Sequence, residues 1–188
     1  MNSIELAEAV EVRTFRSHLS GDPRGRLEVR FRPLAPGDQV GLGEFLEVNA
    51  ADGACLRSPG NLGISAWDLA RHFFTVDGFN EYVLIGTSQA GETERIVALG
   101  RYVLDPDTEM ADMSFLVDRE KRKMGIASHL VHRISDLISA RALPGMSAIV
   151  PETNLDMLHI LGEILAPADD SFTDSGQTTL RWFFSATA

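Results

Sequence analysis

Val117-Asp-Arg-Glu-Lys-Arg122-Lys-Met-Gly125-Ile-Ala127 follows a strand-like run, Met113-Ser-Phe-Leu-Val117, and precedes a long helical run that begins near Gly125. A turn that leaves a strand and opens a helix has a physical use. The first helical amides have no partner within the helix, and the helix dipole is positive at that end. A phosphate or pyrophosphate fits such a place. Arg119, Lys121, Arg122 and Lys123 concentrate positive charge in this turn of an otherwise acidic chain. Gly125, lacking a Cβ, lets the backbone come close to a ligand. Without a ligand, the same residues make a basic strand-to-helix turn and nothing more.

On the C-terminal side the spacing predicts a helix over about 125–141. Ile126, Leu130, Ile134, Leu137 and Ile138 form its apolar stripe, and His129, His132, Arg133 and Asp136 its polar face. Leu143-Pro-Gly145 stops it. Met146-Ser-Ala-Ile-Val150 reads as a short buried strand. Because it is entered from a helix, it should run parallel to the strand before that helix. Thr153-Asn154 opens a helix to about 165, with Leu155, Leu158, Leu161 and Ile164 or Leu165 apolar. Asp169–Phe172 and Thr178–Phe184 form a closing hairpin around Asp174-Ser-Gly176.

On the N-terminal side, three strand candidates lead into the opening turn. They are Tyr82–Thr87, Arg95–Leu104 and Met110–Val117, joined by polar turns at Ser88–Glu94 and Asp105–Thr108. Short turns imply an antiparallel meander. Before them lie two helices. One starts at Pro36-Gly-Asp38 and carries Val40, Leu42, Phe45, Leu46 and Val48, with Gly41 and Gly43 weakening it. The other covers about 66–75, with Ser65…Asp68 spaced as a capping box. Residues 50–64 read as loop. Arg26–Leu34 alternates apolar and polar residues, as a half-buried strand does. In residues 1–24, Ile4, Leu6, Ala9, Val10 and Phe15 suit one face of a short helix, and Ser20–Gly25 a turn. This extension packs on the domain, binds a partner or hangs loose; the residues do not choose. The remainder, 25–188, is expected to be one domain, an α+β fold around a mixed sheet.

Composition narrows the function. A chain of 188 residues with 44% hydrophobic and 23% charged residues suits a soluble domain with a sizeable core. A net charge of −10 argues against a nucleic-acid binder and suits a cationic substrate, or simply solubility. Cys55 is the single cysteine and has no histidine near it, so disulfide, CxxC and nucleophile chemistry are not indicated. No apolar run spans a bilayer and nothing resembles a signal peptide; no membrane partner and a cytoplasmic location are the expectation. His129 and His132 stand three apart on a helix without a carboxylate motif, which reads as a solvated face and not a metal site.

In this order of elements the chain resembles the GNAT acetyltransferase superfamily. The resemblance covers about residues 26–184 and rests on Val117 followed by Arg122-Lys-Met-Gly125-Ile-Ala127, without gap or insertion. Leu56-Arg57, Leu69–Gly78, Ala98–Tyr102 and Ala111–Val117 are similar to the bacterial Pat-type protein lysine acetyltransferases in particular. The resemblance implies a GNAT-like mixed sheet: an antiparallel meander, a β-loop-α-β parallel crossover and a C-terminal hairpin, with helices on both faces. It implies acetyl-CoA as co-substrate and direct transfer of the acetyl group to an amine, either a protein lysine or a small molecule. A homodimer stays open.

The resemblance also assigns residues. Amides from Lys123 through Met124, Gly125, Ile126 and Ala127 would hold the pyrophosphate with Arg122. The backbone of Phe115, Leu116 and Val117 would pair with the pantetheine arm like an added strand. Asn154 would contact the cofactor, although Asn is equally a favoured helix N-cap. Asp112 stands where the family often places a glutamate base, with Glu109 a second candidate. Leu161 replaces the family's usual Tyr, and Leu165-Ala166 its Gly-Phe; His159 is the nearest substitute acid. These departures motivate an alternative, a GNAT-fold module that binds CoA or a partner without turnover.

Overall fold

The computed structural model describes residues 3–16, 25–49 and 64–184. Cys55, Leu56, Arg57, all but the last residue of the loop expected at 50–64, and most of the Ser20–Gly25 turn lie outside these residues. In chain order the elements are α1 (Ser3–Glu8), β1 (Glu11–Arg16), β2 (Arg26–Pro33), α2 (Gln39–Val48), α3 (Ala66–Phe73), β3 (Glu81–Ala90), β4 (Thr93–Leu104), β5 (Ala111–Val117), α4 (Ile126–Ala140), β6 (Gly145–Pro151), α5 (Leu155–Ile164), β7 (Asp170–Asp174) and β8 (Gln177–Phe183).

The strands form one sheet in the order β1-β2-β3-β4-β5-β6-β8-β7. β1 to β5 are antiparallel, and β6 joins β5 in parallel across α4. β8 and β7 close the sheet as a hairpin whose turn residues, Ser175 and Gly176, both have positive φ. This is the α+β architecture that the pattern of strands and helices predicts.

The extension differs from expectation. Phe15 does not share a helix face with Ile4 and Leu6. It lies in β1, which pairs with β2 from Glu11↔Phe31 to Arg16↔Arg26. Six residues of a single sequence, EVRTFR, carry too little alternation to announce an edge strand. The hairpin between β3 and β4 is also tighter than Ser88–Glu94. The ladder runs to Ala90↔Thr93 and leaves only Gly91 and Glu92, with φ +68° at Gly91.

Two cores flank the sheet. On one face α4 and α5 cover Phe31, Leu84, Tyr102, Met113 and Phe115. Gly100 faces α4, and a Cβ there would lie 3.2 Å from Ile134 and 3.3 Å from Leu130, so the helix rests almost on the strand. On the other face α2 and α3 cover Val83, Ile85, Leu99 and Leu116. Leu42, Phe45 and Leu46 point inward, whereas Val40 and Val48 are exposed, which corrects the apolar face expected for α2. Ser65 caps α3, its hydroxyl accepting from the Asp68 amide at 3.0 Å.

His129 is a further correction. It is buried at 6% exposure, not solvated, with its ring 4.5 Å from that of Phe31. β1 supplies the cover that a helical wheel cannot show. Glu11 Oε2 lies 3.3 Å from His129 Nε2 and accepts from Arg133 at 2.8 Å. The His129 contact lacks hydrogen-bond geometry, and among the described residues Nε2 has no hydrogen-bond partner. Burial pushes His129 down to about 4, so the ring is neutral at ordinary pH.

Candidate acyl-CoA groove

The parallel pairing of β5 with β6 is short. It runs from Ala111↔Met146 to Met113↔Ala148 and stops, while β5 continues to Val117 beside β4. Beyond that point the two strands diverge. A groove of about 700 Å³ opens between them, floored by β5 and walled by the turn after β5 and by the start of α5.

Phe115, Leu116, Val117, Arg122, Lys123, Gly125, Ile126, Ala127 and Asn154 all line this groove. Sequence separation of up to 39 positions, from Phe115 to Asn154, is thus closed by the parallel crossover. Met124 is not among the lining residues; it packs against the α4 core. Residues without any sequence-based assignment to the site also line it, among them Ser128, Asp156, Met157 and Ile160. An i, i+3, i+4 pattern after Asn154 would have pointed to Met157, but its apolar character reads first as core.

The turn is shaped by its backbone. Lys123 has φ +61° and Gly125 φ +89°, so two left-handed residues bracket Met124. Gly125 is the N-cap of α4, and among the described residues no side chain caps the helix, which leaves the first-turn amides to solvent or ligand. Asp118 Oδ1 accepts from the Glu120 amide at 2.9 Å and starts the turn. Arg122 Nε donates to the Val117 carbonyl at 3.2 Å, tying the turn back to the strand it left. Across the mouth, Lys123 Nζ lies 4.0 Å from Asp156 Oδ2, and both side chains are well exposed. Asn154 Oδ1 accepts from the Met157 amide at 3.2 Å, so its capping role is present.

Asp112 does not line the groove. It sits where β5 and β6 are still paired, opposite Ser147, whose hydroxyl donates to Asp112 Oδ1 at 3.1 Å. Burial pushes its carboxyl up to about 6, against the pull of the Ser147 hydrogen bond and of Arg101. Leu161 is fully buried in the α4 core and takes no part in the groove. His159 does line it, with Nε2 at 3.3 Å from Glu163. Glu109 lies in the β4–β5 turn with φ +56°.

No family model and no curated protein sequence matches the chain. Solved structures do. The GNAT domain of S. lividans PAT superposes with a TM-score of 0.66 at 20% identity, covering 84% of this chain and 91% of that one. An N-acetyltransferase from Staphylococcus aureus Mu50 gives 0.66 at 13% identity, over 82% of this chain and 98% of that one. A ribosomal L7/L12 α-N-protein acetyltransferase, solved in complex with coenzyme A, gives 0.65 at 9% identity over 84% and 95%. The fold is that of the GNAT acetyltransferases.

Proposed function

We propose that the chain is an acetyl-CoA-dependent N-acetyltransferase acting on an amine. The observation that carries this reading is the groove itself. Its floor is the β5 edge that has lost β6, and its wall is an uncapped helix N-terminus in a basic turn. That pairing of a strand edge beyond its ladder to β6 with an anion site suits one elongated ligand that is amide-bearing at one end and pyrophosphate-bearing at the other. The amides from Lys123 to Ala127 hold the pyrophosphate; Met124 contributes by its backbone alone. Phe115 to Val117 align the pantetheine arm, and Asn154 caps α5 while facing it. The solved GNAT neighbour with coenzyme A supports the choice of ligand.

The chemistry is direct transfer. An ammonium acceptor, with a free pKa of about 10.4, must lose a proton before it attacks. Asp112 takes that proton. It lies about 10 Å along the strand from Phe115, so a chain of waters carries the proton between them. The amine nitrogen bonds to the thioester carbon, the carbon–sulfur bond breaks, and the nitrogen gives up its second proton, which reaches the departing thiolate through water, since Leu161 offers no proton. The Pat-like resemblance favours a protein lysine as acceptor, and a small amine is the other class. A cytoplasmic location accords with a CoA thioester as co-substrate.

Calorimetry with CoA and a thiol-release assay over proteins, peptides and polyamines test this. CoA is expected to bind, and Gly125→Val to weaken it by about 5- to 30-fold, because a side chain resists the left-handed backbone by about 1–2 kcal/mol. Identical behaviour of wild type and Gly125→Val toward CoA would remove the ligand assignment. The buried Leu161 favours a second reading, a CoA-binding module without turnover. Tight CoA binding with no thiol release from any acceptor would establish it; release that drops in Asp112→Ala would end it.

A further inference from the structure

The sheet face that carries α2 and α3 holds buried charges that the groove does not use. Arg101 on β4 is only 2% exposed. Its Nε donates to Glu81 Oε1 at 2.6 Å, and its guanidinium lies 5.1 Å from the centre of the Phe73 ring. Glu81 is itself buried, and its other oxygen lies 2.8 Å from His72 Nε2 on α3. Desolvating such a pair costs several kcal/mol, and well-packed apolar residues often serve stability as well or better. The neighbours here are apolar: Leu69, Phe73, Val83 and Leu99. Stability is therefore a weak account of why the charges are present.

The strand register gives a better one. Glu81 pairs with Val103, and Val103 pairs with Asp112, so the two carboxylates lie in one row across three strands. Directly paired residues share a face of the sheet. Arg101 stands two residues from Val103, on that same face, as a diagonal neighbour of Asp112. The groups acting on Asp112 are Arg101 from β4, Ser147 from β6 and Asp105 from the β4–β5 turn. The next residue in the row, Arg181 on β8, pairs with Ser147. Arg101 and Ser147 favour the ionised carboxylate; burial and Asp105 oppose it.

We propose that Arg101, clamped by Glu81 and His72, is the positioning residue of Asp112. It supplies a fixed positive charge that lets a buried carboxylate ionise near neutral pH. Glu81 offsets part of that charge, so that Asp112 stays basic enough to accept a proton from the acceptor. This rests on the reading of Asp112 as the base. An uncompensated cation would make Asp112 too weak a base; no cation would leave it protonated.

Two measurements test it together. Carbon-13 NMR follows the Asp112 carboxyl through a pH titration, with no need for activity. The pH profile of kcat/KM for acetyl transfer follows the base in turnover. Arg101→Gln is expected to raise the Asp112 midpoint by about one pH unit, and Glu81→Gln to lower it by a similar amount. The acid limb of kcat/KM moves the same way in each, and Arg101→Lys restores the wild-type profile in part. A midpoint unmoved in the folded variants overturns the proposal. Should Arg101→Gln fail to fold, the isosteric Glu81→Gln carries the test alone. Midpoints that move as expected in a wild type that transfers no acetyl group uphold the charge coupling and remove the proposed function instead.

Discussion

At the scale of single residues, the molecule carries buried titratable groups whose effects oppose one another. Asp112 has a folded pKa of about 6 against an ordinary 3.8. Between those values the folded protein keeps a proton that the unfolded chain has released. Stability therefore falls as pH rises through this window, and the ionised carboxylate costs about 2–3 kcal/mol above it. His129 works the other way: it is held neutral in the fold with its pKa pushed down to about 4, so its contribution is present above 6.5 and lost as pH falls toward 4. Comparing Asp112→Asn with wild type at each pH cancels His129. The variant is expected to be more stable in urea by about 2–3 kcal/mol at pH 8, with the gain gone below pH 4, while acetyl transfer is lost. Equal stability at pH 8 would mean that Asp112 ionises without strain. A carboxylate retained at that cost accords with the proposed role of Asp112 as the base.

At the scale of elements, α2 shows how tertiary contact reverses a propensity argument. Gly41 and Gly43 both weaken the helix in isolation, each by about 1 kcal/mol relative to Ala. Their surroundings differ. Among the described residues, no atom beyond its chain neighbours and its own helix backbone lies within 4 Å of a Cβ built at Gly41, whereas one at Gly43 collides with the indole of Trp67 on α3. Gly43 is therefore the close-approach point of the α2–α3 pair. Gly41→Ala should stabilise by about 0.5–1 kcal/mol, and Gly43→Ala should destabilise by about 1–3 kcal/mol as the helices are forced apart. Thermal denaturation of the two variants checks this, and a stabilised Gly43→Ala would show that Trp67 yields without cost. β1 makes a similar point. Through Glu11 and Phe15 it converts a polar helix position, His129, into a core position.

At the scale of the whole molecule, the groove is a fault line. The β5–β6 ladder is three pairs long, yet it joins the five antiparallel strands to the β6-β8-β7 unit. A ligand laid along the β5 edge and anchored at α4 would bridge the two sides. Binding to the folded state alone adds RT ln(1 + [L]/Kd), about 2.7 kcal/mol at a hundredfold excess over Kd. For a chain of this size that is a rise in Tm of roughly 5–10 °C with CoA. At the same CoA concentration the rise should be roughly halved in Gly125→Val, since a tenfold weaker site leaves about 1.4 kcal/mol, and its absence in the wild type would count against the groove as a CoA site.

The local elements and their order were legible in the sequence, because periodicity, turns and caps act over a few residues. The stripe of α4, the capping serine of α3, the meander and the crossover all follow from them. So did the turn from Val117 to Ala127, since a basic, glycine-bearing strand-to-helix turn has few physical uses. Long-range contact settled the rest. Only the divergence of β5 from β6 brings Asn154 to Phe115 and makes a groove. Only the docking of β1 buries His129, and only the strand register sets Arg101 beside Asp112. Single-chain patterns record which face of an element is apolar; they do not record which neighbour covers it, and burial by that neighbour decides what a charge costs and what it can do.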